Sequence, residues 1–89
     1  MISPLDIQAG KTYTCTFVLK DYPLDEFGRP GGIYSMSDLP IAKYGDYTST
    51  GALVARDVDS ELFEVLDHRT NKKWVVPFAD ASDITEDIQ

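Results

Sequence analysis

Apolar and polar residues alternate with period two along "TYTCTFVL", residues 12–19. Tyr13, Cys15, Phe17 and Leu19 fall on one face and Thr12, Thr14, Thr16 and Val18 on the other. Aromatic and β-branched side chains in that rhythm predict a strand with one buried face. Three more strand-like runs follow in the second half: "TGALVARD" (50–57), "ELFEVLD" (61–67) and "KKWVVPF" (72–78). Their links, "DVDS" and "DHRTNK", are short and polar, so the runs form an antiparallel meander. Asn71 is expected to take the left-handed backbone conformation that the second hairpin loop needs before its return strand. The predicted core is Tyr13 or Cys15, Phe17, Leu53, Phe63, Val65, Trp74 and Val76, with Leu19 mostly buried. Val75 should point away from the side that carries Trp74 and Val76.

Pro77 interrupts the last of these runs. It has no N–H for a ladder, so the strand should end near Val76. "FADAS" is too short for an α-helix but fits one 3₁₀ turn. A final strand around Ile84 would then return to the core and close against the first. A helix over "ADASDITEDI" is the competing reading, since acids favour a helix N-terminus, but only Ile84 and Ile88 would form its apolar stripe. Between residues 20 and 47 helical periodicity is absent and Pro and Gly are frequent. Its apolar residues predict a segment that folds back as a hairpin with "GRPGG" at the tip and residues 33–36 pairing. The sum is an all-β fold: a small five-stranded barrel with a long loop or hairpin between strands one and two.

The order of elements resembles the SH3-like barrels. "VLKDY" (18–22) resembles the family's "ALYDY" stretch, the long loop its RT loop, and "YGDY" (44–47) the turn into its second strand. "DVDS" stands in place of the n-Src loop and "DHRTNK" of the distal hairpin. "VVPFADASDI" resembles the passage from the fourth strand through a 3₁₀ turn to the fifth. The likeness spans residues 12–88 as an order of elements, and it implies a single SH3-like domain over 1–89. Peptide-binding members carry a tryptophan at the start of the third strand, where this chain reads "SELFEV". The first tyrosine of "ALYDY" is Lys20 here. A polyproline groove needs aromatic rails, so polyproline binding is not carried over. Small acidic barrels of this style also resemble proteins of phages and environmental bacteria.

Charge narrows the partners. Fifteen acids against eight bases give a net charge of −7. Nucleic acid and anionic membranes require clustered Lys and Arg, so neither is an expected partner. Cys15 is the only cysteine, which excludes an intrachain disulfide, and the N-terminus has no basic-then-apolar leader pattern; both favour a cytoplasmic location.

Candidate chemistry is sparse. His68 and Cys15 fall on a predicted hairpin tip and a buried strand face, so they form no evident dyad. They are too few for a zinc site. "DVDSE" (57–61) lacks the glycine and the distant glutamate of a calcium loop. Asp25, Glu26 and Asp38 form a carboxylate group that nothing shields from water, and "GRPGG" lacks the lysine of a phosphate loop. The expectation is a non-enzyme without cofactor or metal. The tyrosines point elsewhere. Tyr22, Tyr34, Tyr44 and Tyr47, with Phe27, all lie in the long segment among Asp21, Asp25 and Glu26. Aromatic faces with polar tips favour interfaces, so this set is the expected contact surface for a protein partner or for self-association. Two rivals stand beside it: an acidic mimic of nucleic acid that inhibits an enzyme, and an oligomeric structural subunit.

Overall fold

A computed structural model describes residues 2–31 and 40–87. Five strands follow one another: β1 (Tyr13–Leu24), β2 (Lys43–Asp57), β3 (Leu62–Asp67), β4 (Lys73–Pro77) and β5 (Ala81–Glu86). They form one antiparallel sheet in the order β4-β3-β2-β1-β5. Short 3₁₀ turns cover Pro4–Asp6 and Phe78–Asp80. The chain gathers into two compact units. One is Val18–Thr48; the other joins the residues up to Phe17 to those from Ser49 onward.

The larger unit holds most of the core. Tyr13, Cys15 and Phe17 are buried at alternate positions of β1, with Phe63 and Val65 of β3, Val76 of β4 and Ile84 of β5. The meander is antiparallel, as expected: Leu53 pairs with Val65, and Val65 with Trp74. Gly51 sits where β3 leaves no room for a side chain. A Cβ there would meet Val65 Cγ1 at 2.5 Å and the Leu66 carbonyl oxygen at 2.6 Å. Asn71 takes φ 60°, and Val75 is 65% exposed.

Three expected core residues are only half-buried. Trp74 lies on an edge strand and turns its Nε1 toward Asp67 at 3.1 Å. Leu53 precedes a bulge at Val54, where the β2–β3 register shifts. Leu19 lies where the strict alternation of β1 lapses, beside an equally half-buried Val18.

Pro77 ends β4, and the next three residues form the 3₁₀ turn. The turn is pinned by the Phe78 N–H donating to the Glu61 carbonyl (2.9 Å) and by the Phe78 ring, 4.4 Å from that of Phe63. Residues 81–86 form the closing strand, which pairs with β1 from Tyr13↔Glu86 to Phe17↔Ala81. Its register shifts near Asp83, whose φ is 51°. The expected barrel is not closed: β4 and β5 are the two edges of the sheet. Across a flat five-stranded sheet they would stand ~19 Å apart, at ~4.8 Å per strand. A three-residue turn rising ~2 Å per residue cannot bridge that distance. The sheet of this unit must therefore curl, bringing its edges near each other without a shared ladder.

In the unit Val18–Thr48, both strands run further than the pattern indicated. β1 continues through Lys20–Leu24 and β2 begins already at Lys43. The turn tip is not "GRPGG": Leu24 bridges to Pro30, so the chain reverses over residues 25–29. Among the described residues there, Leu24, Pro30 and Tyr47 are buried apolar side chains. Residues 33–36, expected to pair, lie outside the described residues.

Candidate functional site

The reversal at residues 25–29 is built by one aspartate. Asp25 is only 1% exposed. Its Oδ1 accepts the N–H groups of Phe27 (2.8 Å) and Arg29 (2.9 Å), and its Oδ2 accepts Arg29 Nε (3.2 Å). The backbone adds Asp25 N–H to the Arg29 carbonyl and Gly28 N–H to the Asp25 carbonyl, with Gly28 at φ 75°. Burial alone would raise the Asp25 pKa. The backbone donors of Arg29 and Phe27, helped by the Arg29 guanidinium, outweigh it and hold the carboxyl below its usual range. Held in this way, the turn pushes Phe27 outward to 65% exposure, with the Arg29 guanidinium 5.1 Å from its ring centroid.

The start of β2 supplies the rest of the surface. Tyr47 is 1% exposed, and a Cβ at Gly45 would lie 3.5 Å from Leu24, so these residues face inward. Strand alternation then turns Tyr44 and Asp46 outward, and Ala42, just before the strand, is exposed as well. Tyr44 is 65% exposed. Asp46 Oδ1 accepts the N–H of Asp21 at 3.2 Å, where β1 passes through φ 52°. Ala42 lines an open recess of ≈ 150 Å³ with Asp25, Glu26, Phe27 and Pro40.

The structure therefore divides the expected contact residues. Phe27, Glu26, Tyr44 and Asp21 are exposed on this unit, and Tyr22 is half-buried. Tyr47 and Asp25 are not contact residues in the sense expected. Tyr47 fills the interior behind the strand, and every Asp25 bond described above is spent on its own turn. Tyr34 lies outside the described residues. The other candidates remain dispersed. Cys15 is buried, and desolvation pushes its thiol up to about 11; His68 is exposed at a hairpin tip, with Nδ1 3.5 Å from Thr50 Oγ1. Asp57 Oδ1 accepts the N–H groups of Asp59 and Ser60, and the Ser60 bonds lower its pKa.

Two features escaped the sequence reading. Asp67, fully buried, accepts Ser49 Oγ (2.7 Å) and the Arg69 N–H (2.9 Å) on Oδ1, and Thr70 Oγ1 (3.0 Å) and Trp74 Nε1 (3.1 Å) on Oδ2. The available signal was an Asp opening a hairpin loop three residues before a Thr. The second is a recess in the larger unit, floored by Tyr13 and Phe63 and flanked by Lys11 and Arg56. Its parts are scattered in sequence, and no local pattern announces it. No family model, curated protein or solved structure matches this chain.

Proposed function

We propose that this protein is a non-enzymatic interaction module on an SH3-like frame, which binds a protein partner through the exposed aromatic surface of its Val18–Thr48 unit. The single observation that carries the reading is the display of Phe27 and Tyr44, each 65% exposed, on a hydrogen-bonded turn and on a strand. Large aromatic side chains left in water at that level favour an interface, because burying them removes ~150–250 Å² of surface each. Both supports limit the ordering cost of binding: a turn fixed by the Asp25 carboxylate and a strand backed by buried Tyr47. The sheet order and the 3₁₀ turn between β4 and β5 support the SH3-like frame. Polyproline recognition is not part of the proposal, since the third strand opens on Leu62 and Phe63 rather than on tryptophan.

Affinity capture from lysate of the source cells tests it, comparing the parent chain with a Phe27→Ala/Tyr44→Ala double variant at low and high salt. The expected result is a partner retained by the parent at both salt levels and lost by the variant. An aromatic interface is weakly screened, whereas an acidic mimic of nucleic acid would lose its partner as salt rises. A partner that the variant keeps, and that salt removes, would replace this reading with the mimic.

A further inference from the structure

We infer that the recess in the larger unit is a binding site for a carboxylate carried on a small apolar body. The recess encloses ≈ 260 Å³ between residues 7–11, Tyr13, residues 53–56 and Phe63. Its charge is opposite to that of the chain. Two bases line it, Lys11 and Arg56, and no acid does, although acids outnumber bases fifteen to eight in the sequence. The donor-bearing residues of the lining come from three elements. Lys11 follows the turn at Gly10, which takes φ 85°. Arg56 stands near the end of β2 and spends one N–H on the Pro4 carbonyl at 2.8 Å. A guanidinium carries five N–H donors in a fork suited to carboxylate oxygens, so others remain for an incoming group. Tyr13 is buried, and its Oη accepts the Gln8 N–H at 3.1 Å. The hydroxyl proton is thereby left to donate.

The rest of the lining sets the class of ligand. Ile7 and Leu53, both half-buried, offer apolar surface beside the donors, over the buried Phe63. Inorganic phosphate would leave that surface wet, while an organic acid covers it. The volume lies below the roughly 300–1,000 Å³ of a drug-sized site, so it suits a short acid or the last residue of a chain. Both present the same group, a carboxylate on an apolar body. Lys11 at present faces Glu86, with Nζ 3.3 Å from Oε1. Glu86 is not among the lining residues, so it competes with the ligand for Lys11 from outside.

NMR titration of the full chain tests the site, with hexanoate as probe and hexanol and inorganic phosphate as controls. Hexanoate should give saturable shifts at the amides of Gly10, Lys11, Ala55 and Arg56, and hexanol should bind at least about fivefold more weakly for lack of the charge. Glu86→Gln, at a half-buried residue outside the recess lining, should tighten hexanoate binding about two- to threefold by freeing Lys11, and Lys11→Met should weaken it by at least about threefold. A leucine-terminated pentapeptide with a free carboxylate, set against its C-terminal amide, separates the sources. Binding of the acid but not the amide assigns a chain terminus, and binding of hexanoate alone assigns a free acid. The inference is overturned by the absence of saturable shifts at these amides below about 10 mM hexanoate. It is equally overturned by hexanol or phosphate binding as well as hexanoate, or by an affinity that Glu86→Gln does not raise.

Discussion

At the scale of single residues, Asp67 governs more of the fold than any other polar group described. At least four donors converge on its carboxylate, with Ser49 Oγ and the Arg69 N–H on Oδ1 and Thr70 Oγ1 and Trp74 Nε1 on Oδ2. One donor on each oxygen cannot reverse its role: the Arg69 backbone N–H on Oδ1 and the indole N–H of Trp74 on Oδ2. An asparagine must present its NH₂ group to one of them, whichever way it turns. Asp67→Asn is therefore expected to destabilise the protein by about 2–4 kcal/mol, in spite of its matching shape. Urea denaturation measures this, and a variant as stable as the parent would mean that a second acceptor oxygen is not required. Apolar positions follow simpler rules. Val65 is fully buried, and Val65→Ala should cost about 2–3 kcal/mol through lost burial and the cavity left behind. On the neighbouring strand, Gly51→Ala errs in the other direction. Its new methyl would overlap Val65 Cγ1 and the Leu66 carbonyl, for a loss of about 1–3 kcal/mol.

At the scale of elements, one device recurs. An aspartate at or just past the end of a strand accepts the N–H groups of the next few residues and so closes the following turn. Asp25 does this after Leu24, Asp57 at the end of β2 and Asp67 at the end of β3. Part of the acidity of this chain thus belongs to its turns rather than to a surface for a basic partner. The third turn ends on Asn71 at φ 60°, its N–H donating to the Asp67 carbonyl at 2.9 Å. Asn71→Gly should leave stability unchanged or slightly higher, and Asn71→Val should cost about 1–2 kcal/mol, because a branched Cβ is crowded in that conformation. Thermal unfolding of the two variants checks the sign of each. The meander, the end of β4 at Pro77, the 3₁₀ turn and the return of Ile84 were legible in sequence. Each rests on a local rule: alternation, a missing N–H, or small residues between two apolar anchors. The long reach of β1 and β2 was not legible, since Pro23, Gly45 and the charges of 20–26 read as loop when taken singly. Nor was the division of the aromatic set. Nothing in "YGDY" distinguishes Tyr44, turned outward, from Tyr47, turned inward, until the register of β2 against Leu24 is known.

At the scale of the whole molecule, groups with shifted proton affinity bound stability from both sides of neutrality. Asp25 and Asp57 have folded pKa values below the ordinary carboxylate range. Their contribution is present above the unfolded value of about 3.9 and is lost as pH falls through the lower folded values. Cys15 acts in the opposite direction. Its folded pKa is raised to about 11 from an ordinary 9.0, because burial disfavours the thiolate. The contribution of the neutral thiol is complete below 9.0 and is lost as pH rises through about 11. The difference in proton binding across that interval amounts to about 2 kcal/mol by pH 11. Tyr and Lys titrate over the same interval, so the alkaline limb of the parent alone does not isolate the thiol. Cys15→Ala does: its own cavity cost is the same at every pH, while the other titrations are common to both chains. Urea midpoints of parent and variant should therefore run parallel from neutrality to about pH 9 and converge, or cross, by about pH 11. Midpoints that stay parallel throughout would show that Cys15 ionises as readily in the folded chain as in the unfolded one, and that the β1 face which carries it is open to water.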